Sequence, residues 1–383
     1  MRMLTLTILV LATVLLPLRA AEDTPDPAAV AELIAKGERF LLSQHQEDGS
    51  FWPMDKVKLG MTAVVLNALM TEPVTVPKDD PRIQRAYRLL VESQQPDGGI
   101  YDPKEGYANY VTSLTLMLAE KLGTTDEPWV EKAQNYLIGI QNTEPNSIFN
   151  GGIGYGSRGE GHEDLNNTTY AILALRGTGV PADDPAMQRA LKFVQRCQNL
   201  SSHNPSEWAG QDGGAVYSPD SSKVSSQPTG PSDVAADQRQ IATGRLRSYG
   251  SMTYSLISSY IALDLEPGDP RLDAALNWVK DHYRFDVNPG MGPGQERQGL
   301  YYYLNIMSKT FDTMGLTVLD LPEGETDWRG DLFAAIQERA QPVEGTEEPT
   351  VLWINEADRW AEGMPPMVTA YMVQSLKRIH QSL

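Results

Sequence analysis

Residues 80–118, DPRIQRAYRLLVESQQPDGGIYDPKEGYANYVTSLTLML, decide how this chain folds. Asp80-Pro81 is a helix start: Asp is a good N-cap acceptor, and Pro at the first helical position gives up an N–H that had no partner. Ile83, Ala86, Tyr87 and Leu90 then share one face while Arg82, Arg85 and Arg88 lie elsewhere, which is the stripe of a helix covering a core from outside. The turn Asp97-Gly98-Gly99-Ile100-Tyr101 follows, and after it Tyr110–Leu118 is apolar nearly all round. A helix of that second kind is buried on every side.

The same unit recurs outward from this stretch in both directions. Asp26-Pro27, Glu127-Pro128, Asp184-Pro185 and Asp269-Pro270 open further striped helices, with successive prolines 54, 47, 57 and 85 residues apart. A weaker sixth copy begins near Trp328, with Leu332, Ala335 and Ile336. Gly-rich turns at Asp48-Gly49, Gly151-Gly152 and Asp212-Gly213-Gly214 lead to apolar helices at Thr62–Met70, Thr168–Leu175 and Ser251–Leu263, and Tyr301–Met314 and Pro366–Leu376 bring the inner helices to six. A linear stack of such repeats wants polar end caps, and none is visible. The pattern therefore predicts an all-α chain closed as an α/α toroid, an (α/α)6 barrel of six helical hairpins, over residues 22–383. The long interval holds residues 218–244, a loop rich in Ser, Pro, Gly and Asp, and a loop of that length is either a solvated excursion or a lid.

Composition narrows the class. Lys and Arg number 32 against 50 Asp and Glu, a net charge of −18, so phosphate neutralisation is poorly served and a nucleic-acid partner is disfavoured. Hydrophobic residues make up 41 % of the chain, enough for a packed core. At the N-terminus, Arg2, the fifteen-residue apolar stretch Leu4–Leu18 and the small residues Ala20-Ala21 read as a signal peptide over residues 1–21, too short for the ~20 residues of a spanning helix. The expectation is an exported, secreted or periplasmic protein with no stable membrane span after cleavage.

Gly37–Gln44 through Asp48-Gly49-Ser50-Phe51-Trp52, and again Ser93-Gln94-Gln95-Pro96-Asp97-Gly98-Gly99, resemble the QW repeat of squalene and oxidosqualene cyclases and protein prenyltransferase β-subunits. Ile140-Gln141-Asn142 and Cys197-Gln198-Asn199 are weaker copies. In detail the chain is similar to the secreted bacterial prenyltransferase/squalene-oxidase-repeat proteins. The resemblance implies the toroid, and it implies two chemistries that the residues themselves test.

Polyene cyclases carry Asp-x-Asp-Asp-Thr-Ala at an inner-helix start, the central Asp protonating an alkene. The matching stretch here is Asp164-Leu165-Asn166-Asn167-Thr168-Thr169. An amide has no transferable acidic proton, so Asn166 cannot be the general acid; Asp164, Asn166 and Asn167 are the candidate catalytic positions, departed from the acid pattern. Prenyltransferases need zinc held by Asp, Cys and His. The single Cys197 has no Asp two residues before it, and His45, His162, His203, His282 and His380 are all outside apolar inner-helix positions, so no metal and no cofactor is expected.

The end of the ring that carries the inner-helix starts is rich in aromatic side chains. Trp52, Tyr101, Tyr155, Tyr249 and the run Tyr301-Tyr302-Tyr303 are the candidate ligand-binding residues, with Arg247 as the cation. In a terpenoid pocket such rings stabilise a developing cation by ~0.5–2 kcal/mol each; in a glycan groove they stack on sugars. Consecutive helix residues point about 100° apart, so at least one of the three tyrosines should face the hollow. Three readings remain open: an isoprenoid-like or other extended ligand in an aromatic cavity, with terpene cyclase- or transferase-type activity; a polysaccharide lyase or glycan-binding toroid; and a non-catalytic scaffold. A closed, apolar cavity around Tyr301–Tyr303 favours the first, an open groove with Arg245 or Arg247 inside it the second, and no cavity beyond a few waters the third.

Overall fold

A computed structural model describes residues 24–156, 163–221 and 246–383. The proposed signal peptide, His162, Arg245 and all but the first four residues of the 218–244 loop lie outside them. Among the described residues twelve helices alternate around a ring. Six form the outer layer: α1 (Pro27–Ser43), α3 (Pro81–Glu92), α5 (Pro128–Gly139), α7 (Pro185–Arg196), α9 (Pro270–Asp281) and α11 (Trp328–Glu338). Six form the inner layer: α2 (Lys58–Leu69), α4 (Ala108–Leu122), α6 (Leu165–Gly177), α8 (Gly250–Ala262), α10 (Leu300–Thr313) and α12 (Pro365–Gln381). Each inner helix packs on the next, and α12 packs on α2, which closes the ring. The toroid predicted from the repeat is the fold observed.

The pairing within it is shifted from the sequence reading. The outer helices α3, α5, α7 and α9 each pack on the inner helix that precedes them in the chain, whereas α11 packs on the following α12 and α1 also lies against α12. Two short antiparallel hairpins, β1 (Val318–Leu321) with β2 (Gly324–Asp327) and β3 (Gln341–Pro342) with β4 (Val351–Leu352), flank α11.

The repeat residues act as connectors. Asp26, Asp80, Asp184 and Asp269 each accept from the backbone N–H two residues on, as does Asp327 at the start of α11; Glu127 makes no such bond. Gln94 donates to Gly98 O of its own turn and to Trp129 O at the second residue of α5, each at 2.9 Å. Gln141 and Gln198 repeat this pair of bonds, reaching Ala186 O in α7 and Arg271 O in α9. Each Gln, half-buried at position 94 and buried at 141 and 198, thus ties one repeat to the next, and losing it leaves two carbonyls without their donor.

The second glycine-rich turn shows why its sequence is fixed. Gly98 has φ +93°, and a Cβ there would lie 2.4 Å from Lys132 O, so the turn presses against α5 too closely for a side chain. Inner-helix threonines complete the pattern: Thr62, Thr112, Thr168, Thr253 and Thr369 each accept the N–H of a residue just past the turn. Hence the conformation of each turn is pinned to the inner helix that lines the bore.

Candidate functional site

The bore opens into a cavity of about 250 Å³ at the end where the inner helices start. Its rim carries Tyr107 and Trp360, 38 % and 39 % exposed. Its wall is Met61, Tyr155, Tyr217, Tyr249, Met252, Met364 and Met367, and its floor is Tyr110, Tyr170, Tyr302 and Tyr371. Those four rings also form the roof of a second chamber of about 570 Å³ entered from the opposite end. Tyr110 meets Tyr170 edge to face at 4.9 Å, Tyr170 stacks on Tyr302 at 6.5 Å, and Tyr302 lies 5.9 Å from Tyr371. The bore is therefore two rooms divided by a tyrosine partition.

The candidates from sequence fall into separate groups. Asn166, Asn167, Tyr155, Tyr249 and Tyr302 line the cavity together. Of the triple run only Tyr302 does so; Tyr301 is buried between helices, and Tyr303 is buried with its hydroxyl on Arg284 O at 2.9 Å. Trp52 is buried in the first repeat turn, and Tyr101 lies outside the bore with its hydroxyl on Asp97 at 2.7 Å. Arg247 sits in a different groove, beside His282, Arg284 and Asp286, whose lining shares no residue with the cavity.

Asp164 does not line the cavity. It is fully buried as the N-cap of α6, with Oδ1 accepting Asn167 N at 2.8 Å and Oδ2 accepting Asn167 Nδ2 at 2.7 Å. Burial raises its pKa to about 6 in spite of those donors. The cap is thus the Asp, not the amides that follow it. Asn167 and Asn109 continue the chain of bonds, Asn109 donating to Gly154 O and Asn167 O. The amide oxygens of Asn166 and Asn167 and the hydroxyl of Tyr249 are buried without a partner. Such orphans are uncommon in native interiors, and here three of them share one cavity wall.

Two carboxylates that the sequence reading passed over line the cavity. Glu105, at the rim, accepts from Val57 N. Glu362 is deeper, only 1 % exposed, and its oxygens accept Tyr302 N at 2.7 Å and Asn355 Nδ2 at 2.6 Å. Burial lifts its pKa to about 7 against the pull of these donors and of the α10 N-terminus. The segment carrying it is strained. Trp360 and Ala361 both adopt left-handed backbone, φ 56° and 66°, and Val57 across the mouth does the same at 58°. Three of the four non-glycine residues in that region among the described residues therefore line this cavity. Such strain costs on the order of 1–3 kcal/mol per residue and concentrates at functional sites. Gly299 makes room for it: a Cβ there would sit 3.0 Å from the Trp360 ring. Glu362 carried no recognisable motif; the only local hint was an acid shortly before an inner helix.

Among the described residues no group of three or more His, Cys, Asp or Glu side chains is placed to hold a metal ion, and Cys197 is buried and free. No described helix is long and apolar enough to cross a membrane.

Comparison with known proteins fits this architecture. The squalene-hopene cyclase N-terminal domain family matches residues 83–204. Dammaradiene synthase of Dryopteris crassirhizoma is 34 % identical over 120 residues, which is 31 % of this chain and 16 % of that protein. This chain therefore spans only a small part of that relative. Among solved structures, the type II terpene cyclase MstE from Scytonema without ligand superposes with a TM-score of 0.53 at 15 % identity, covering 94 % of this chain and 100 % of the other. A variant of it bound to its substrate geranylgeranyl dihydroxybenzoate gives 0.54 at 14 % identity, covering 93 % and 99 %. These structures share the fold. Residues 83–204 thus match a squalene-hopene cyclase domain family, and the closed double ring is the fold seen in the terpene cyclase structures.

Proposed function

We propose that this protein takes an isoprenoid-like polyene with one polar end into the tyrosine-lined cavity and carries out terpene cyclase-type chemistry on it. The observation that carries the reading is the cavity itself. Nine aromatic side chains and four methionines surround it, while three unpartnered polar atoms sit on one wall. Rings and thioethers suit an apolar chain and stabilise positive charge. Two amide oxygens and a phenol suit a hydroxyl-bearing end, since they leave an acceptor pair and a donor waiting. At about 250 Å³ the room lies just below the ~300–1,000 Å³ usual for ligand pockets, which favours a folded short chain or one end of a longer one.

The glycan reading has less support. Arg247, its cation, lies in the separate groove, where Arg284 is already paired with Asp286 at 2.6 Å. A filled hole, the scaffold reading, is not what the bore contains. We also propose export through residues 1–21, as their charge and apolar pattern suggest.

The test is native mass spectrometry of the purified protein, with extraction of whatever travels with it. An isoprenoid alcohol or hydrocarbon, or saturable binding of added geranylgeraniol, is the expected result. Recovery of an oligosaccharide, or no uptake of any polyene, overturns the reading.

A further inference from the structure

We infer that Glu362 is the proton donor of this cavity, taking the part that Asn166 cannot play. The inference rests on the cyclase reading above and assigns its acid. Of the two carboxylates lining the cavity, Glu105 sits at the half-exposed rim, whereas Glu362 is buried beside the floor ring Tyr302. Asp164, the surviving acid of the cyclase-like stretch, is turned into the wall and holds Asn167 with both oxygens.

The bonding of Glu362 suits a donor. Its oxygens accept N–H groups at the start of α10, Tyr302 N closest, and Asn355 Nδ2, and none of these bonds uses the acid's own proton. When the carboxyl is protonated its O–H is left for the cavity. When the proton has gone, the same N–H groups and the N-terminus of α10 stabilise the carboxylate, which lowers the barrier to giving it up. Asn355 is itself fixed by donating to Arg297 O at 2.7 Å and accepting from Ala357 N at 3.0 Å, so the carboxyl cannot swing away. The consecutive left-handed residues Trp360 and Ala361 aim the chain at this position, and the Arg359 guanidinium over the Trp360 ring at 4.2 Å braces them. Burial holds part of the population protonated at neutral pH.

The chemistry balances without a co-reactant. The Glu362 O–H bond breaks as a C–H bond forms at the less substituted carbon of an alkene. The π pair supplies that bond and leaves the positive charge on the more substituted carbon, facing Tyr302, Tyr371 and Trp360. Remaining double bonds close rings in turn. The last cation loses a proton from a neighbouring carbon to the Glu362 carboxylate or to water, so the product is an isomer of the substrate.

The experiment uses the whole protein with geranylgeraniol in D2O. The wild type is expected to bind it and release an isomer carrying one non-exchangeable deuterium. Glu362→Gln should bind with unchanged affinity and lose about 100-fold to 10,000-fold of the rate; Glu362→Asp, which keeps an acid one methylene further back, should recover part of it. Conversion by Glu362→Gln at the wild-type rate overturns the assignment and leaves the cyclase reading intact. Binding without conversion by the wild type overturns the assignment but keeps the ligand. Failure of the wild type to bind any polyene sinks both. Independently of turnover, carboxyl infrared difference spectra of wild type minus Glu362→Gln should show a protonated carbonyl stretch at neutral pH; a carboxylate fully ionised at pH 5 refutes the donor role.

Discussion

The two ends of the bore are built from the same six helices and have opposite chemistry. At the end where the inner helices start, the lining is rings, thioethers, amides and one buried carboxyl. At the end where they finish, cations gather on main-chain carbonyls of neighbouring inner helices, those of Lys121, Arg176 and Lys377 in a helix's last turn and that of Arg378 within α10. Lys121 of α4 donates to Asn67 O of α2, Arg176 of α6 to Ala262 O of α8, and Arg378 of α12 to Asn305 O of α10. Lys377 of α12 donates to Leu69 O and Thr71 O and pairs with Glu38 at 2.8 Å, across the seam where last repeat meets first. Helix C-termini carry unsatisfied carbonyls and partial negative charge, so cations belong there. The difference teaches that the charged end holds the ring together, which leaves the aromatic end free to carry unpartnered groups and strain.

If that division of labour is right, breaking the charged end should cost stability and spare the ligand. Lys377→Met leaves Glu38 buried without its partner, and a loss of about 3–5 kcal/mol is expected by chemical denaturation, with polyene affinity in the surviving folded fraction unchanged. Equal stability would mean that the seam is held by packing alone.

The next effect belongs to the aromatic end and to pH. Glu362 has its pKa raised from 4.5 to about 7, so the folded state binds its proton more tightly than the unfolded chain. Its contribution is fully present below pH 4.5, falls as pH rises and is gone above about 7. Relative to Glu362→Gln, the wild type should lose about 3 kcal/mol of stability across that window. The Tyr301 and Tyr371 phenols in its field stay neutral there, because burial raises both. A flat difference between the two proteins would show a carboxylate that is ionised throughout.

Smaller again is Asp164→Ala. Loss of the α6 cap should cost about 1–2 kcal/mol and, by freeing the Asn167 side chain on the cavity wall, weaken binding slightly while kcat with geranylgeraniol stays at the wild-type level in the folded protein. A large loss of turnover would return the acid role to this residue. The smallest change in stability is expected from Tyr170→Ala, about 1 kcal/mol for the lost ring contacts, because space lies on both sides of that ring. Its effect should appear in the ligand instead: the two rooms join, and competition between C20 and C30 polyenes should shift toward the longer chain. An unchanged preference would show that the tyrosine partition does not set length.

Legibility followed periodicity. The six starts, the stripes and the uniformly apolar inner helices are local features with a fixed repeat, and the sequence alone determined from them a closed toroid, a bore and an aromatic end. It also showed that Asn166 cannot donate a proton, since that follows from functional-group chemistry. What it could not show was which of Tyr301, Tyr302 and Tyr303 faces the hollow, that Asp164 looks into the wall, or that Arg247 belongs to another groove. Those depend on the rotation of each helix about its axis, set by contacts with residues far away in the chain. Glu362 was the least visible, because it follows a non-repeating turn and gains its character from Tyr302, sixty residues earlier, and from burial. Repeats are written residue by residue; the depth at which a carboxyl is buried exists only once the ring has closed around it.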